Sequence, residues 1–315
     1  MKKVAFYCNH LGIAGSEIAT YDYAYYNQTL LGNESIIIAR VHPEYDDPGV
    51  IEKFSKQFQV IRHSGDFSEV DPIIKANNVD VFYALKAGNN DGIYSKEAKS
   101  CIHATFGHFE PHGNVYAYVS EWLTKAASHG IQPFVPHMVD LPDTDEDMRK
   151  ELNIPKDAIV FGRYGSYKEF SIQFVKDVIK RLVQENKNIY FLFANTEPFF
   201  EHPQIIYLDP IWDLTEKTKF INTTDAYLHA RQRGETFGLA CGEWSIKNKP
   251  VITFGNSPEK NHTEILGAKG LYYFGGGDLH NLLKNFTPQP NKDWDAYTLK
   301  YSPKPVMDKF KQVFL

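Results

Sequence analysis

At 315 residues, the chain is long enough for one large domain or two of ordinary size, and 43% hydrophobic with 23% charged residues is the balance of a globular protein. A net charge of −5 speaks against a sequence-independent nucleic-acid binder, which carries a basic balance. No apolar run approaches the roughly 20 residues that a membrane-spanning helix needs.

In chain order, KKVAFYCN (2–9) reads as a strand and not as a signal peptide, so a cytoplasmic protein is expected. The loop HLGIAGSE follows, then a helix over 16–31. ESIIIAR (34–40), QVIRHS (59–64), VDVFYAL (79–85), CIHATF (101–106) and VYAYVS (115–120) read as further strands, and EWLTKAAS as a helix. Proline and acidic residues crowd 133–150, PFVPHMVDLPDTDEDMRK, which marks a boundary. The pattern then restarts with AIVFGRYG (158–165), a helix over 170–185, NIYFLFA (188–194), QIIYLD (204–209), TDAYLHA (224–230), KPVITF (249–254) and GLYYF (270–274). The chain ends in a helix, SPKPVMDKFKQVFL. These apolar runs lack the two-residue alternation of half-exposed strands, which predicts parallel sheets covered on both faces. Two doubly wound α/β domains are therefore expected, 1–142 and 143–300, followed by the helix 301–315. Cys8, Cys101 and Cys241 lie far apart in apolar surroundings, and read as buried free thiols in a reducing compartment. The high aromatic share, 14%, offers flat faces for sugars or bases, but its plainer use is a core of large residues.

Ligands of open parallel sheets bind beyond the carboxyl ends of the strands, so polar residues just after strands are the ones to inspect. Gly12 and Gly15 in LGIAGSE allow a tight turn and close backbone approach. Ser16 can cap the following helix, whose free amides favour an anion. Two glycines alone fit an ordinary turn equally well, since the dinucleotide fingerprint needs three. In FGRYGSYKEF, Arg163 and Lys168 follow a buried strand and can hold a diphosphate, the first as a planar fork of donors and the second as a compact charge. In RGETFGLACGEW, seven residues separate Glu235 from Glu243. Thr236 is placed to cap a helix beginning near Phe237, with Gly238 leaving amides uncovered. Helical continuity would set the two carboxylates roughly 80° apart, on one side. An acidic residue near a helix start explains Glu243 tolerably. It does not explain Glu235, which precedes the cap beside Arg231 and Arg233.

RGETFGLACGEWSIKNKPVI is similar to the Glu, seven residues, Glu signature of retaining glycosyltransferases of family 4, written E-G-F-G-x-x-x-x-E followed by P-V. Arg163 and Lys168 resemble that family's G-R-x-x-x-x-K, AGSEIATYDYA its G-G-x-E loop, VPHMVDLP its P-N-G-V-D linker, AYVSEW its V-S segment and TDAYLHA its A-D-V strand. The matches are collinear from about residue 12 to 270. Three departures stand out: Ala14 replaces the loop's first glycine, Thr236 replaces the glycine after Glu235, and His137-Met138 replace Asn-Gly.

The resemblance implies a GT-B fold: two Rossmann-like domains facing across a cleft, the nucleotide sugar held mainly by the second and the acceptor by the first, with the C-terminal helix packing back on the first. It implies that Arg163 and Lys168 bind the donor's diphosphate, that Glu235 contacts hydroxyls of the donor sugar, and that Glu243 holds the ribose. Phe237, Gly238 and Leu239 would offer backbone amides, and Gly12 and Gly15 would line the phosphate loop. His108 best matches the family's histidine of the first domain, with His103 and His112 as neighbouring alternatives. Asp143-Thr144-Asp145 and Asp145-Glu146-Asp147 match the D-x-D metal site of another glycosyltransferase class, but they precede MRKELN, a predicted helix start where acidic residues suit the dipole. No metal or other cofactor is expected. The function expected is retaining, metal-independent transfer of a hexose from a nucleoside diphosphate sugar to a glycan or other hydroxyl, GDP-mannose being favoured over UDP-glucose. The alternatives are a nucleotide-sugar epimerase of the same fold and a sugar-binding module without turnover.

Overall fold

The computed structural model describes residues 1–12 and 15–315. The chain divides into two compact units, Met1–Met138 with Lys300–Leu315, and Val139–Leu299. The sequence pattern puts the corresponding boundary after residue 142.

The first unit runs β1 (Lys3–Cys8), α1 (Gly15–Thr29), β2 (Glu34–Arg40), α2 (Pro48–Gln57), β3 (Gln59–His63), α3 (Val70–Ala76), β4 (Val81–Lys86), β5 (Lys99–Ala104), β6 (Val115–Tyr118) and α4 (Glu121–Ser128). Its six strands are all parallel, in the order β3-β2-β1-β4-β5-β6, with Val4 opposite both Ser35 and Val81. The second unit runs β7 (Ile159–Tyr164), α5 (Gln173–Glu185), β8 (Ile189–Ala194), β9 (Ile205–Leu208), α6 (Leu214–Thr223), β10 (Ala226–His229), β11 (Gly234–Glu235), α7 (Leu239–Ile246), β12 (Val251–Phe254), β13 (Glu259–Lys260), α8 (Asn261–Leu266), β14 (Gly270–Tyr273) and α9 (Gly276–Lys284). Its sheet has the order β14-β12-β10-β7-β8-β9, also parallel, and β11 pairs with β13 in a separate two-stranded ladder. Both six-stranded orders are the same doubly wound topology, so each sheet has one switch point where strand order reverses, between β1 and β4 in the first and between β7 and β10 in the second. The helix α10 (Thr298–Tyr301) leads into α11 (Pro303–Phe314).

Every strand predicted from an apolar run is present, and for the stated reason: β1, β4 and β7 are buried along nearly their whole length, which requires cover on both faces. Much of the aromatic content goes to the cores. Phe6, Tyr83 and Tyr23 of the first unit pack with Phe310 of α11, at ring separations of 6.3, 5.3 and 5.3 Å. Val306, Met307, Phe310 and Phe314 are fully buried, so the C-terminal helix is part of the first unit's core. The second core is built on Phe161, Phe191 and Phe193 with α5. The three cysteines are buried and unpaired, and burial pushes the Cys101 thiol up to about 12. No helix among the described residues is long and apolar enough to cross a membrane.

Two local expectations fail. Ser16 does not precede α1 as a cap; it lies inside the first turn and donates to Glu17 Oε2 at 2.7 Å. MRKELN forms turns and not a helix, closed by Leu152 N–H donating to the Met148 carbonyl at 2.9 Å. Asp143 of the D-x-D run pairs instead with Lys247 at 2.6 Å. Ala14, the loop departure noted above, lies outside the described residues.

Candidate functional site

The second unit gathers its chemistry at the switch point. Arg163 is the next-to-last residue of β7, and its side chain is buried. Its Nη1 donates to the Asn195 carbonyl at 2.8 Å and to Thr196 Oγ1, and Nη2 donates to the Ser166 carbonyl at 2.7 Å. Three of its five N–H groups are thus spent on the scaffold, leaving Nε–H and one Nη2–H without a hydrogen-bond partner among the described residues. Burial draws the guanidinium below its ordinary value, while Tyr227, Glu235 and Glu169 act the other way. Lys168 lies on the turn after β7 with an exposed side chain.

Glu235 belongs to β11, before α7, so the two glutamates are not on one continuous helix and the predicted 80° relation does not apply. The helix begins at Leu239, with Gly238 and not Thr236 at its cap position. Gly238 has φ of +92°, and a Cβ there would come within 2.9 Å of His262 Cβ, so only glycine fits. No side chain caps α7, which leaves the amides of its first turn to water or ligand. Phe237 is buried edge-on to Tyr297 at 5.9 Å, and its carbonyl accepts from Asn261 Nδ2 at 3.1 Å. Leu239 is half-buried.

The Glu235 carboxylate accepts from Arg231 Nη1 at 2.9 Å on one oxygen and from His229 Nε2 at 3.2 Å on the other. Burial works against its charge, but the His229 hydrogen bond and the electrostatic attraction of His229, Arg231 and His262 prevail, and the carboxyl is pulled down to about 2. Of those partners only Arg231 is charged at every pH. Glu243, in α7, pairs with Lys217 of α6 at 2.8 Å, and both side chains are nearly buried. Its other oxygen accepts nothing among the described residues.

Two tyrosines tie these groups together. The Tyr227 phenol is raised by burial first, then by Cys241, Glu235 and Glu243, with Arg163 opposing. The Tyr164 phenol is raised by burial, with Lys217 and Arg163 opposing and Glu243 adding. The Tyr227 hydroxyl donates to the Tyr164 carbonyl at 3.1 Å, and Arg163 and Glu243 act electrostatically on both phenols and Glu235 on that of Tyr227, near the carboxyl end of β7, where a doubly wound sheet binds ligands. The sequence reading missed Lys217, His229, Thr253 and His262. Only His229 carried a local signal, as a polar residue ending an apolar strand.

In the first unit, a Cβ on Gly12 would come within 2.1 Å of the Tyr45 carbonyl oxygen, so that glycine is required by the chain's own packing. Gly15 is exposed at the start of α1. His103 is buried in β5 between the Tyr83 hydroxyl at 2.6 Å and the Val135 carbonyl at 2.8 Å, and burial lowers its imidazole to about 4. That histidine is occupied by the core. His112 is half-buried, with Nδ1 2.6 Å from the Glu110 carbonyl. His108 is exposed in the loop after β5, its carbonyl accepting from the Tyr116 and Tyr118 hydroxyls at 2.9 and 2.6 Å, and its ring holds no hydrogen-bond partner among the described residues.

Solved structures resemble the whole chain. HepE from Anabaena, crystallised in complex with UDP-glucose, aligns with a TM-score of 0.75 over 99% of both chains at 11% identity. A glycosyltransferase from Rickettsia africae gives 0.71 at 13% identity, over 99% of this chain and 97% of that one. A putative UDP-N-acetylglucosamine 2-epimerase from Listeria monocytogenes gives 0.63 at 13% identity, over 99% and 96%. The fold is GT-B. No family model matches the sequence, and no curated protein sequence is similar to it.

Proposed function

We propose that this GT-B chain is a glycosyltransferase that moves a hexose from a nucleoside diphosphate sugar to a hydroxyl of a glycan or other acceptor. In this reading it retains configuration, needs no metal and works as family 4 enzymes do. The observation that carries it is buried Arg163 near the carboxyl end of β7 with two N–H groups uncommitted and exposed Lys168 on the adjoining turn, together with Glu235 just before and Glu243 within the uncapped helix α7.

The reaction's difficulty is negative charge growing on the departing phosphate while the anomeric carbon becomes cationic. The two uncommitted N–H groups of Arg163, the Lys168 ammonium and the uncapped amides of α7 oppose that charge in the transition state more than in the ground state. Removing one such donor costs about 3–4 kcal/mol in barrier. Glu235, an anion already held by two donors, accepts protons of sugar hydroxyls and does not attack carbon. Glu243 takes the ribose hydroxyls on its unpartnered oxygen. The leaving phosphate receives the acceptor's proton.

Of the two donors proposed, GDP-mannose comes from the sequence resemblance, and the UDP-glucose bound to HepE supports the other. A melting panel of GDP, UDP and their hexose conjugates, with and without magnesium, ranks them, since a ligand at 100 times its Kd stabilises by about 2.7 kcal/mol. Nucleotide release that depends on an added acceptor hydroxyl supports transfer. Failure of every nucleotide sugar to bind overturns the proposal. The Listeria resemblance favours a second reading, epimerisation, which would yield an isomerised sugar without any acceptor.

A further inference from the structure

Behind Glu235 lies a chain of buried polar side chains from β10, β12 and α8. His229 Nε2 is 3.2 Å from Glu235 Oε1, and His229 Nδ1 is 2.8 Å from Thr253 Oγ1. The same hydroxyl lies 3.0 Å from His262 Nε2. All three side chains are buried, with Thr253 and His262 at 0% exposure. The two rings lie 4.7 Å apart.

The proton positions follow from chemistry. An ionised carboxylate only accepts, so His229 carries a proton on Nε2. His262 Nδ1 has no partner, so the single proton of that ring belongs on Nε2, where the Thr253 hydroxyl accepts it and donates its own proton to His229 Nδ1. Burial lowers the His262 imidazole to about 3, consistent with a neutral ring. Its Nδ1 is left as a buried lone pair without a partner. Every donor in the chain thus points towards Glu235. Placing three polar groups in a strand-end core is costly compared with apolar residues of similar size, and an acceptor left unsatisfied adds to that cost. Packing alone does not call for it.

We propose that His229, Thr253 and His262 are positioning residues that fix the orientation and acceptor-only state of Glu235, so that it selects donor sugars presenting hydroxyl protons to it. This rests on the glycosyltransferase reading above. Arg231 completes the arrangement from the other oxygen, itself held by Glu169 at 2.7 Å. Each Glu235 oxygen then has one lone pair engaged and further acceptor capacity for the sugar.

Thr253→Val tests this by removing only the hydroxyl. The expected result is a fall in kcat/KM for the nucleotide sugar on the order of 10- to 100-fold, as for loss of a group that orients a reacting partner. Affinity for the free nucleoside diphosphate should not change, and Thr253→Ser should restore most of the activity. Independently, 15N NMR of the histidine rings in the wild-type protein at neutral pH should show both His229 and His262 protonated on Nε2 alone. Wild-type kinetics in Thr253→Val, or any proton on His229 Nδ1, would overturn the proposal. If Thr253→Val does not fold, the tautomer measurement decides. Lys168→Ala and Glu243→Ala separate the two levels. If neither alters nucleotide binding or turnover, the glycosyltransferase reading fails whatever the tautomers are. If they do and Thr253→Val does not, only the positioning role fails.

Discussion

Lys217→Met probes the least expected element of the site. Lys217 Nζ lies 2.8 Å from Glu243 Oε1, with the side chains 2% and 11% exposed, and it also sits 4.6 Å over the Tyr164 ring. Removing one partner of a buried pair strands the other charge, at a cost of about 3–5 kcal/mol. For a domain of this size each kcal/mol moves the melting point by about 2–4 °C, so a drop of about 6–20 °C is expected. Glu243→Met should cost a similar amount by stranding the lysine. The double variant Lys217→Met/Glu243→Met leaves no buried charge, and should fall within a few kcal/mol of the wild type or exceed it by about 1–4 kcal/mol. Nucleotide affinity should behave differently. If Glu243 receives ribose hydroxyls, the double variant loses hydrogen bonds to a charged acceptor worth about 1.5–3 kcal/mol, or about 10- to 150-fold in Kd. Thermal melts and calorimetric titration with GDP and UDP read both quantities. A double variant as unstable as the two single losses added together would refute the pairing argument, and one with wild-type nucleotide affinity would remove Glu243 from the site.

Lys168→Ala should lose about 100-fold or more in turnover with an unchanged melting point, because the lysine is exposed and argued to meet the phosphate; equal turnover would exclude it. Gly238→Ala forces a side chain to φ of +92° and towards His262 Cβ, and should cost about 1–3 kcal/mol as well as nucleotide affinity, a wild-type melt being the contrary result. Phe310→Ala should destabilise the first unit by about 3–5 kcal/mol, since its ring is fully buried against Tyr23 and Tyr83; a melt near the wild type would detach α11 from that core. Glu235 has a folded pKa of about 2 against an ordinary 4.5, so its stabilising contribution of about 3 kcal/mol is full above pH 4.5 and fades as pH falls towards 2. Acid titration of Glu235→Gln should therefore show a smaller loss across that window than the wild type, and identical curves would contradict the depressed value.

The strands of both sheets were readable because a strand buried on both faces needs an unbroken apolar run, and IIIA, FYAL and FLFA are such runs whatever surrounds them. The order of the polar segments after those runs, Arg163 and Lys168 after one and Glu235 and Glu243 after another, was equally local and equally visible. What the sequence alone could not reveal is how those groups are held. Gly234 and Glu235 form a strand only because Glu259 and Lys260 come alongside, and no periodicity within RGETFG announces that partner. The pairing of Lys217 with Glu243, and the line from His229 through Thr253 to His262, join side chains from separate elements whose meeting depends on the winding of the sheet. Local pattern records the solvent on each face of a segment. Which distant carboxylate or imidazole shares a buried volume is set by tertiary packing, where the cost of leaving a polar group unpaired selects its neighbour.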